Sequence, residues 1–303
     1  MFDIIALGEP MVEFNEEPDG RYRQGFGGDT SNAAIAAARL GARVRYVTML
    51  GKDRFGDALM ALWQAEGVDA AHVGRHERAP TAVYFVNHSA AGHSFTYLRS
   101  GSAASHMSPS DFPQEAFRQA KFLHVSAVSQ AISVSARETV AHAITIAAAS
   151  HTPLSYDTNL RLRLWSLDEA REVIAATAKK AYILKTSIDD ARTLTGLTSP
   201  GEVAQHYLEL GAEKVLVTLG SDGVLVATED ARWTLSPHKV NSVDATGAGD
   251  AFAGALLAML AQWRDIGAAA RFANAAAALA TTGYGAVAPL PRREDVERLL
   301  APV

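Results

Sequence analysis

Short apolar runs alternate with longer, alanine-rich stretches of helical periodicity along most of the chain. The runs have the length and composition of buried strands, and they cover residues 3–8, 43–50, 122–126, 154–157, 182–185 and 214–219. Helices are predicted over residues 32–40, 57–66 and 135–150, after residue 250, and over 268–281 and 292–300. Strands that alternate with helices in this way indicate a three-layer α/β/α sandwich with a mainly parallel sheet.

The pattern changes between residues 80 and 105, where two β-rich segments, 81–87 and 93–99, flank a turn that contains glycine. They predict a hairpin, and the period of two in a strand places Phe95, Tyr97 and Arg99 on one face. That face fits a surface that closes over a ligand and an ordinary half-buried hairpin equally well. Since no repeat or linker interrupts the chain, residues 1–303 are predicted to form one domain, with a discontinuous β lid from roughly 10–26 and 76–104.

Composition excludes several classes of function. Apolar residues make up 48% and charged residues 20% of the chain, as in an ordinary soluble globular protein. A net charge of −5 without any basic run argues against a nucleic-acid partner, and the absence of cysteine excludes disulfides and thiolate sites. With neither a basic leader nor a clean apolar stretch of about 20 residues, we expect a cytoplasmic protein without a membrane partner.

The segment Asp244-Ala-Thr-Gly-Ala-Gly-Asp250 leads directly into an apolar helix and carries the most specific chemistry. The first N–H groups of a helix lack partners and its dipole favours negative charge, so a phosphate could approach the amides of Gly247, Ala248 and Gly249. A carboxylate at Asp250 would repel that phosphate unless it takes a proton from the attacking group. The alternative is an aspartate that only caps the helix. Neither a P-loop nor a Gly-x-Gly-x-x-Gly fingerprint occurs.

Two separated patterns carry a family resemblance: Gly27-Gly-Asp-Thr-Ser-Asn32-Ala, which runs on to Leu40-Gly41, and the segment 244–250. By their order and separation, the chain is identified as a member of the ribokinase-like (PfkB) family of sugar kinases over nearly its whole length. The segments that begin at Gly8, Phe95 and Tyr156 most resemble the 2-keto-3-deoxygluconate kinase subfamily. Fructokinases share parts of the same segments.

The resemblance implies ATP-dependent phosphorylation of the terminal primary hydroxyl of 2-keto-3-deoxygluconate, a sugar acid, with Mg²⁺ bridging the nucleotide phosphates. It implies that Asp250 is the general base and that Gly247, Ala248 and Gly249 form the anion hole. The implied substrate-binding residues are Gly28, Asn32, Tyr84, Tyr97, Arg99 and Arg161. The implied ATP-binding residues are Asn159, Ser187, Thr218, Gly220, Gly223 and Asn274. Asp190 is the implied metal-binding residue, acting through water.

The chemistry of the substrate supports a sugar acid independently, because Arg99 and Arg161 could bind its carboxylate through paired hydrogen bonds. Both arginines could instead form surface ion pairs. The chain also departs from the family pattern: Ser187-Ile-Asp-Asp190 stands where Asn-x-x-Glu is common, and residues 282–289 lack an expected acid. Glu9 stands where many sugar kinases carry aspartate after the first strand.

Three other functions remain open from the sequence. The first is a kinase for fructose or another neutral sugar, and the second is a regulatory protein that binds sugar or nucleotide without catalysis. A nucleoside kinase is weaker, because arginines in the pocket have no obvious partner on a purine nucleoside. The exposed edge of the β-rich lid predicts a homo-oligomer that assembles through the lid.

Overall fold

A computed structural model describes residues 1–89, 92–263 and 265–301. Its strands are β1 (Phe2–Leu7), β2 (Met11–Glu16), β3 (Tyr22–Gly27), β4 (Val44–Gly51), β5 (Val73–His76), β6 (Val83–Ser89), β7 (Gly92–Leu98), β8 (Ala120–Ser126), β9 (Leu154–Asp157), β10 (Ile183–Ser187), β11 (Lys214–Thr218), β12 (Val224–Thr228) and β13 (Arg232–Leu235). Its α-helices are α1 (Asp29–Arg39), α2 (Arg54–Ala65), α3 (Ala127–Ala131), α4 (Val134–Ala149), α5 (Leu167–Ala178), α6 (Ile188–Thr195), α7 (Pro200–Leu210), α8 (Ala248–Trp263), α9 (Ile266–Ala280) and α10 (Arg293–Leu300).

A large sheet forms the middle layer, and in the described residues its strand order is β13-β12-β11-β10-β9-β8-β1-β4-β5. Neighbouring strands from β11 to β5 are parallel, whereas β12 and β13 are antiparallel. Helices α3 to α7 pack on one face and α1, α2, α8, α9 and α10 on the other. Because both faces are buried, the central parallel strands are largely apolar, and their polar residues gather towards the strand ends. The predicted three-layer fold is confirmed.

A smaller sheet has the order β3-β2-β6-β7 within the described residues. Strands β6 and β7 are the predicted hairpin, and residues 90 and 91 of its turn lie outside the described part of the chain. The sequence predicts residues 10–26 as part of the β lid without separate strands, and they form β2 and β3. In the turn between them the N–H of Gly20 donates to the carbonyl of Glu17. The two short strands do not alternate regularly between buried and exposed residues, so periodicity does not reveal them. They are defined instead by their antiparallel pairing with each other.

Helix α2 begins one turn earlier than the apolar periodicity predicts. The side chain of Asp53 accepts a hydrogen bond from the N–H of Gly56 at 2.8 Å, which caps the helix ahead of Asp57. None of the helices in the described ranges is long and apolar enough to cross a membrane.

The carboxyl ends of β1, β8, β9, β10 and β11 lie at one edge of the large sheet, and ligands of open α/β sheets bind outside such an edge. Helices α1 and α8 pack against each other. Their N-terminal turns carry Asp29, Asn32 and Asp250, and side-chain hydrogen bonds tie this region to Asn159 beyond β9. This edge therefore holds the candidate site.

Candidate active site

The turn before α8 is held in shape by one buried carboxylate. Oδ1 of Asp244 accepts hydrogen bonds from the N–H and the hydroxyl of Thr246, at 2.9 and 2.7 Å, and its Oδ2 accepts from the N–H of Gly285 at 2.9 Å. Gly247 has φ +76°, and a Cβ at this position would lie 2.9 Å from the carbonyl oxygen of Ala286. Only glycine fits this position, so the turn and the 282–289 segment form one packed unit around the start of the helix.

Asp250 lies in the first turn of α8, where it faces α1. Nδ2 of Asn32 donates to Oδ2 of Asp250 at 2.8 Å. The carboxyl group is crowded by protein although the residue keeps some solvent exposure, and burial raises its pKa to about 7. The charge of Asp29 adds to the rise, whereas the Asn32 hydrogen bond and the charge of Lys185 oppose it. A carboxyl group with this pKa exchanges protons readily near neutral pH.

We expect catalysis to follow the ionisation of Asp250. A general base works only when it is deprotonated, so kcat/KM should rise about tenfold per pH unit in acid and level off above about pH 7. The measurement is a pH–rate profile with saturating ATP. A carboxyl group with the ordinary pKa of aspartate would instead leave the rate constant across this range.

The small sheet carries an aromatic face, which is formed by side chains of β6 and β7. Tyr84 on β6 and Tyr97 on β7 stack with ring centroids 5.7 Å apart, and the hydroxyl of Tyr84 donates to Oε2 of Glu13 on β2. That hydroxyl packs on the backbone of Gly27, where a Cβ would lie only 2.4 Å from it. Glu13 is buried, and burial raises its pKa. The sequence predicts both tyrosines as substrate-binding residues but gives no role to Glu13. Glu13 follows two apolar residues in β2, and this local pattern does not distinguish it from a surface glutamate.

Arg99 is nearly buried and is paired with another buried charge. Its Nη2 is in ion-pair contact with Oε2 of Glu9, whose other oxygen accepts a hydrogen bond from the hydroxyl of Ser102. Apart from this ion pair, Nε and Nη2 of Arg99 are buried without a hydrogen-bond partner among the described residues. Gly28 lies against the same segment: with φ +103°, its Cβ position would be 2.4 Å from the carbonyl oxygen of Glu9.

Beyond β9, the chain places an amide and a cation at the same sheet edge. Nδ2 of Asn159 donates to Oδ2 of Asp29 at 2.8 Å, which links this loop to the start of α1. Arg161 is exposed, and its Nη1 donates to the carbonyl of Leu160 at 2.8 Å. Its charge acts on Asp190, whose pKa burial and the neighbouring Asp157 nevertheless raise.

The six residues predicted for the ATP groove end or follow β9, β10 and β11 or lie on α9. Ser187 caps α6, because its hydroxyl accepts from the N–H of Asp190 at 3.0 Å. The hydroxyl of Thr218 donates to the carbonyl of Thr186 at 3.4 Å. Nδ2 of Asn274 donates to the carbonyl of Ser236 at 2.8 Å. Gly220 and Gly223 have φ values of +60° and +96°, so both shape the turn after β11.

Two surface concavities of about 640 and 330 Å³ lie away from this edge. The larger is lined by Glu209, Glu213 and Lys214 at the opposite end of β11, and neither includes a residue named above for phosphate or sugar. The volume of a cavity therefore does not locate the site. The side chains that converge at the carboxyl edge of the sheet locate it.

The sequence and the fold of this chain are similar to those of known proteins. The profile of the family described as pfkB family carbohydrate kinase matches residues 1–293. Fructokinase-1 of Oryza sativa subsp. japonica is 34% identical over 98% of this chain and 97% of the relative. A 2-dehydro-3-deoxygluconokinase of Thermoproteus tenax is 33% identical over 99% and 94%. Aminoimidazole riboside kinase from Salmonella enterica, complexed with aminoimidazole riboside and an ATP analogue, has a TM-score of 0.91 at 30% identity, covering 99% and 100%.

Proposed function

Because this chain belongs to the pfkB family of carbohydrate kinases, we propose that it phosphorylates the terminal primary hydroxyl of 2-keto-3-deoxygluconate (2-dehydro-3-deoxygluconate) with ATP. The hydroxyl proton passes to Asp250 as the oxygen bonds to the γ-phosphorus of ATP. The bond from that phosphorus to its bridging oxygen breaks, and ADP leaves. The products are the 6-phosphate and ADP.

The arrangement of α8 supports the role of the anion hole at residues 247–249, hereafter the phosphate cradle, and the role of Asp250 as the base. The amides of Gly247 and Gly249 lie at the start of the helix and are suited to hold the phosphoryl group as its charge develops during transfer. The N–H of Ala248, the third residue of the implied anion hole, donates instead to the carbonyl of Ala245 at 3.2 Å. Asp250 follows at once, and the hydrogen bond from Asn32 orients its carboxyl group. Positioning and electrostatics are the usual sources of acceleration in phosphoryl transfer.

One observation carries the choice of a sugar acid: the buried Nε and Nη2 of Arg99 have no hydrogen-bond partner in the described part of the chain. Nη2 is in ion-pair contact with Glu9, yet a buried guanidinium with so few hydrogen bonds is costly, and a substrate carboxylate would satisfy both nitrogens if the Arg99 side chain turned to expose them. Arg99 faces the aromatic side of the pocket, since its guanidinium lies 5.8 Å from the ring centre of Tyr97. Arg161, at the end of β9, is the second proposed partner of that carboxylate.

Asp190 is the residue that fits a magnesium ion. Burial and the charge of Asp157 raise its pKa, so a nearby cation would stabilise its ionised form. Mg²⁺ in kinases is usually bound through one or two carboxylates, waters and the nucleotide phosphates. When bound, the ion would neutralise charge on those phosphates, while the hydroxyl of Ser187 accepts a hydrogen bond from the N–H of Asp190 and holds that residue in place.

A neutral ketose such as fructose is the second candidate, and a specific observation favours it. Glu9 already offsets the charge of Arg99, and the Glu13–Tyr84 pair offers oxygen atoms suited to sugar hydroxyls. The relatives include a fructokinase at an identity similar to that of the sugar-acid kinase. The deciding measurement is ADP release across a panel of sugars and sugar acids. If none of these compounds supports ADP release, the protein binds sugar or nucleotide without catalysis.

Arg161→Ala is expected to separate the two substrates. Loss of charge-assisted hydrogen bonds should lower kcat/KM for the sugar acid about 10–100-fold and leave that for a neutral sugar nearly unchanged. Because Arg161 is exposed and bonded only to the carbonyl of its neighbour, the fold should persist. Arg163→Ala is the matched control, since Arg163 is also exposed but donates to the carbonyl of Phe95 at 3.4 Å. Equal effects of both substitutions, or a wild type that uses only fructose, would contradict the proposal.

The assembly through the small sheet and the cytoplasmic location both remain predictions. Leu98, on the edge strand β7, is 60% exposed, which is consistent with a contact to a second copy at this strand. Light scattering of the purified protein measures the assembly directly.

A further inference from the structure

A buried lysine lies beneath the candidate site and has no role in the reaction described so far. Lys185 is on β10, and its side chain is 9% exposed. Its Nζ lies 2.7 Å from Oδ2 of Asp157 at the end of β9, whose side chain is 4% exposed. Burial alone would lower the pKa of Lys185, but the charges of Asp157, Asp250 and Asp190 together raise it. Lys185 is therefore a permanent positive charge at working pH.

The ammonium group lies directly behind the phosphate cradle. A Cβ at Gly249 would be 3.1 Å from Nζ of Lys185, which is tighter than ordinary contact. Glycine at this position thus lets the ammonium approach the peptide that precedes Asp250. The charge of Lys185 acts on Asp250 and lowers the pKa of that carboxyl group.

The charges around Asp250 come from several elements and are unbalanced. Asp29 on α1 and Asp157 on β9 disfavour its ionised form, whereas Lys185 on β10 favours it. Asn32 on α1 donates a hydrogen bond, and Tyr84 on β6 is a neutral phenol whose pKa is raised well above its usual value by burial and nearby carboxylates. Without Lys185, three carboxyl groups would share one poorly solvated region.

We infer that Lys185 is a positioning residue for phosphoryl transfer: its buried ammonium, held by Asp157 behind the peptide of Gly249, keeps Asp250 in the ionised form that accepts the proton of the substrate. The inference rests on the proposed role of Asp250 as base. Lys185 does not need to touch the substrate, because it acts through the charge that it places beside the carboxyl group.

The test is the pH dependence of kcat/KM in Lys185→Met, which keeps the length and removes the charge. An opposite charge close to a carboxyl group lowers its pKa by about one unit or more. We therefore expect the acid limb to move up by about one pH unit, with kcat/KM about tenfold below wild type near pH 6 and almost equal well above pH 8. ATP and the sugar titrate identically in every variant, so a difference between variants belongs to the protein.

Two further variants distinguish this role from a structural one. Asp157→Asn/Lys185→Met replaces the ion pair by a neutral pair, which folds often tolerate, and it should return the acid limb close to that of wild type. Asp29→Asn keeps an acceptor for Asn159 but removes a negative charge, so it should move the limb downward. Circular dichroism and urea unfolding verify that each variant is folded.

An unmoved acid limb in Lys185→Met, with kcat/KM reduced equally at every pH, would overturn the inference and indicate direct contact with the phosphates. The base role itself is measured separately in Asp250→Asn. If that variant retains activity, the proposed mechanism fails; if it is inactive while the Lys185 limb is unmoved, only the role of Lys185 fails.

Discussion

Asp250→Ala should lower kcat about 10²–10⁴-fold and leave the Kd for ATP nearly unchanged. The carboxyl group is held at the start of α8 by Asn32, and it is the only group that the proposed mechanism uses as a base. The phosphate cradle is formed by backbone amides, which the substitution leaves in place. The measurements are kcat by a coupled assay of ADP release and the Kd of ATP by calorimetry.

Asp189→Ala is the matched control for removing one acid near the site. Asp189 is exposed, and its carboxylate pairs with Arg192 on the surface of α6, so its loss should change kcat less than twofold. Asp250→Asn adds a shape-conserving variant that retains the contact with Asn32. Unchanged turnover in either Asp250 variant would remove this residue from the mechanism.

The sequence predicts the parallel layers well because local signals coincide there with tertiary burial. Residues 154–157 were predicted as a strand and form β9 with these bounds, and the glycines of the 244–250 segment predict a turn into a helix. Asp250 and Asn32 were assigned to one site from family motifs. The structure brings them into a hydrogen bond although 218 positions separate them in sequence.

The charges that modify the site were not predicted, because each depends on a distant partner. Lys185 ends an apolar run, and nothing in the sequence near it indicates a partner. Its ion pair with Asp157 forms only because β10 pairs with β9 in a register that places the two residues side by side. Arg99 was predicted to clamp a carboxylate, but its pairing with Glu9 requires β7 to lie beside the end of β1. Periodicity identifies the face on which a side chain lies; it does not identify the charge that faces it.

Glu9 and Arg99 illustrate how two charges can both prepare a site and limit it. A buried arginine without an anion is strongly unfavourable, so Glu9 makes Arg99 tolerable in the protein without substrate. The guanidinium nitrogens of Arg99 that lack hydrogen bonds would be stabilised by binding a further acceptor. The same pair therefore carries the choice between an acidic and a neutral sugar.

Gly28→Ala should destabilise the protein by about 3–4 kcal/mol. Gly28 has φ +103°, a conformation that costs an L-residue about 1–3 kcal/mol. An added Cβ would also lie 2.4 Å from the carbonyl oxygen of Glu9 and 2.7 Å from Cα of Pro10, and overpacking against backbone costs a similar amount. The measurement is the free energy of unfolding in urea. Since Glu9 would be displaced, KM for the sugar should rise as well, with the Kd of ATP unchanged.

Gly67→Ala isolates the conformational part of this loss. Gly67 has φ +72°, but a Cβ there meets no atom within 4 Å, so its substitution should cost only about 1–2 kcal/mol and leave KM unchanged. The difference between the two variants then measures the close approach of Glu9 and Pro10, which link β1 to β2, to the start of α1. Equal losses would mean that this contact does not constrain the site, and the rise in KM expected for Gly28→Ala would lose its physical basis.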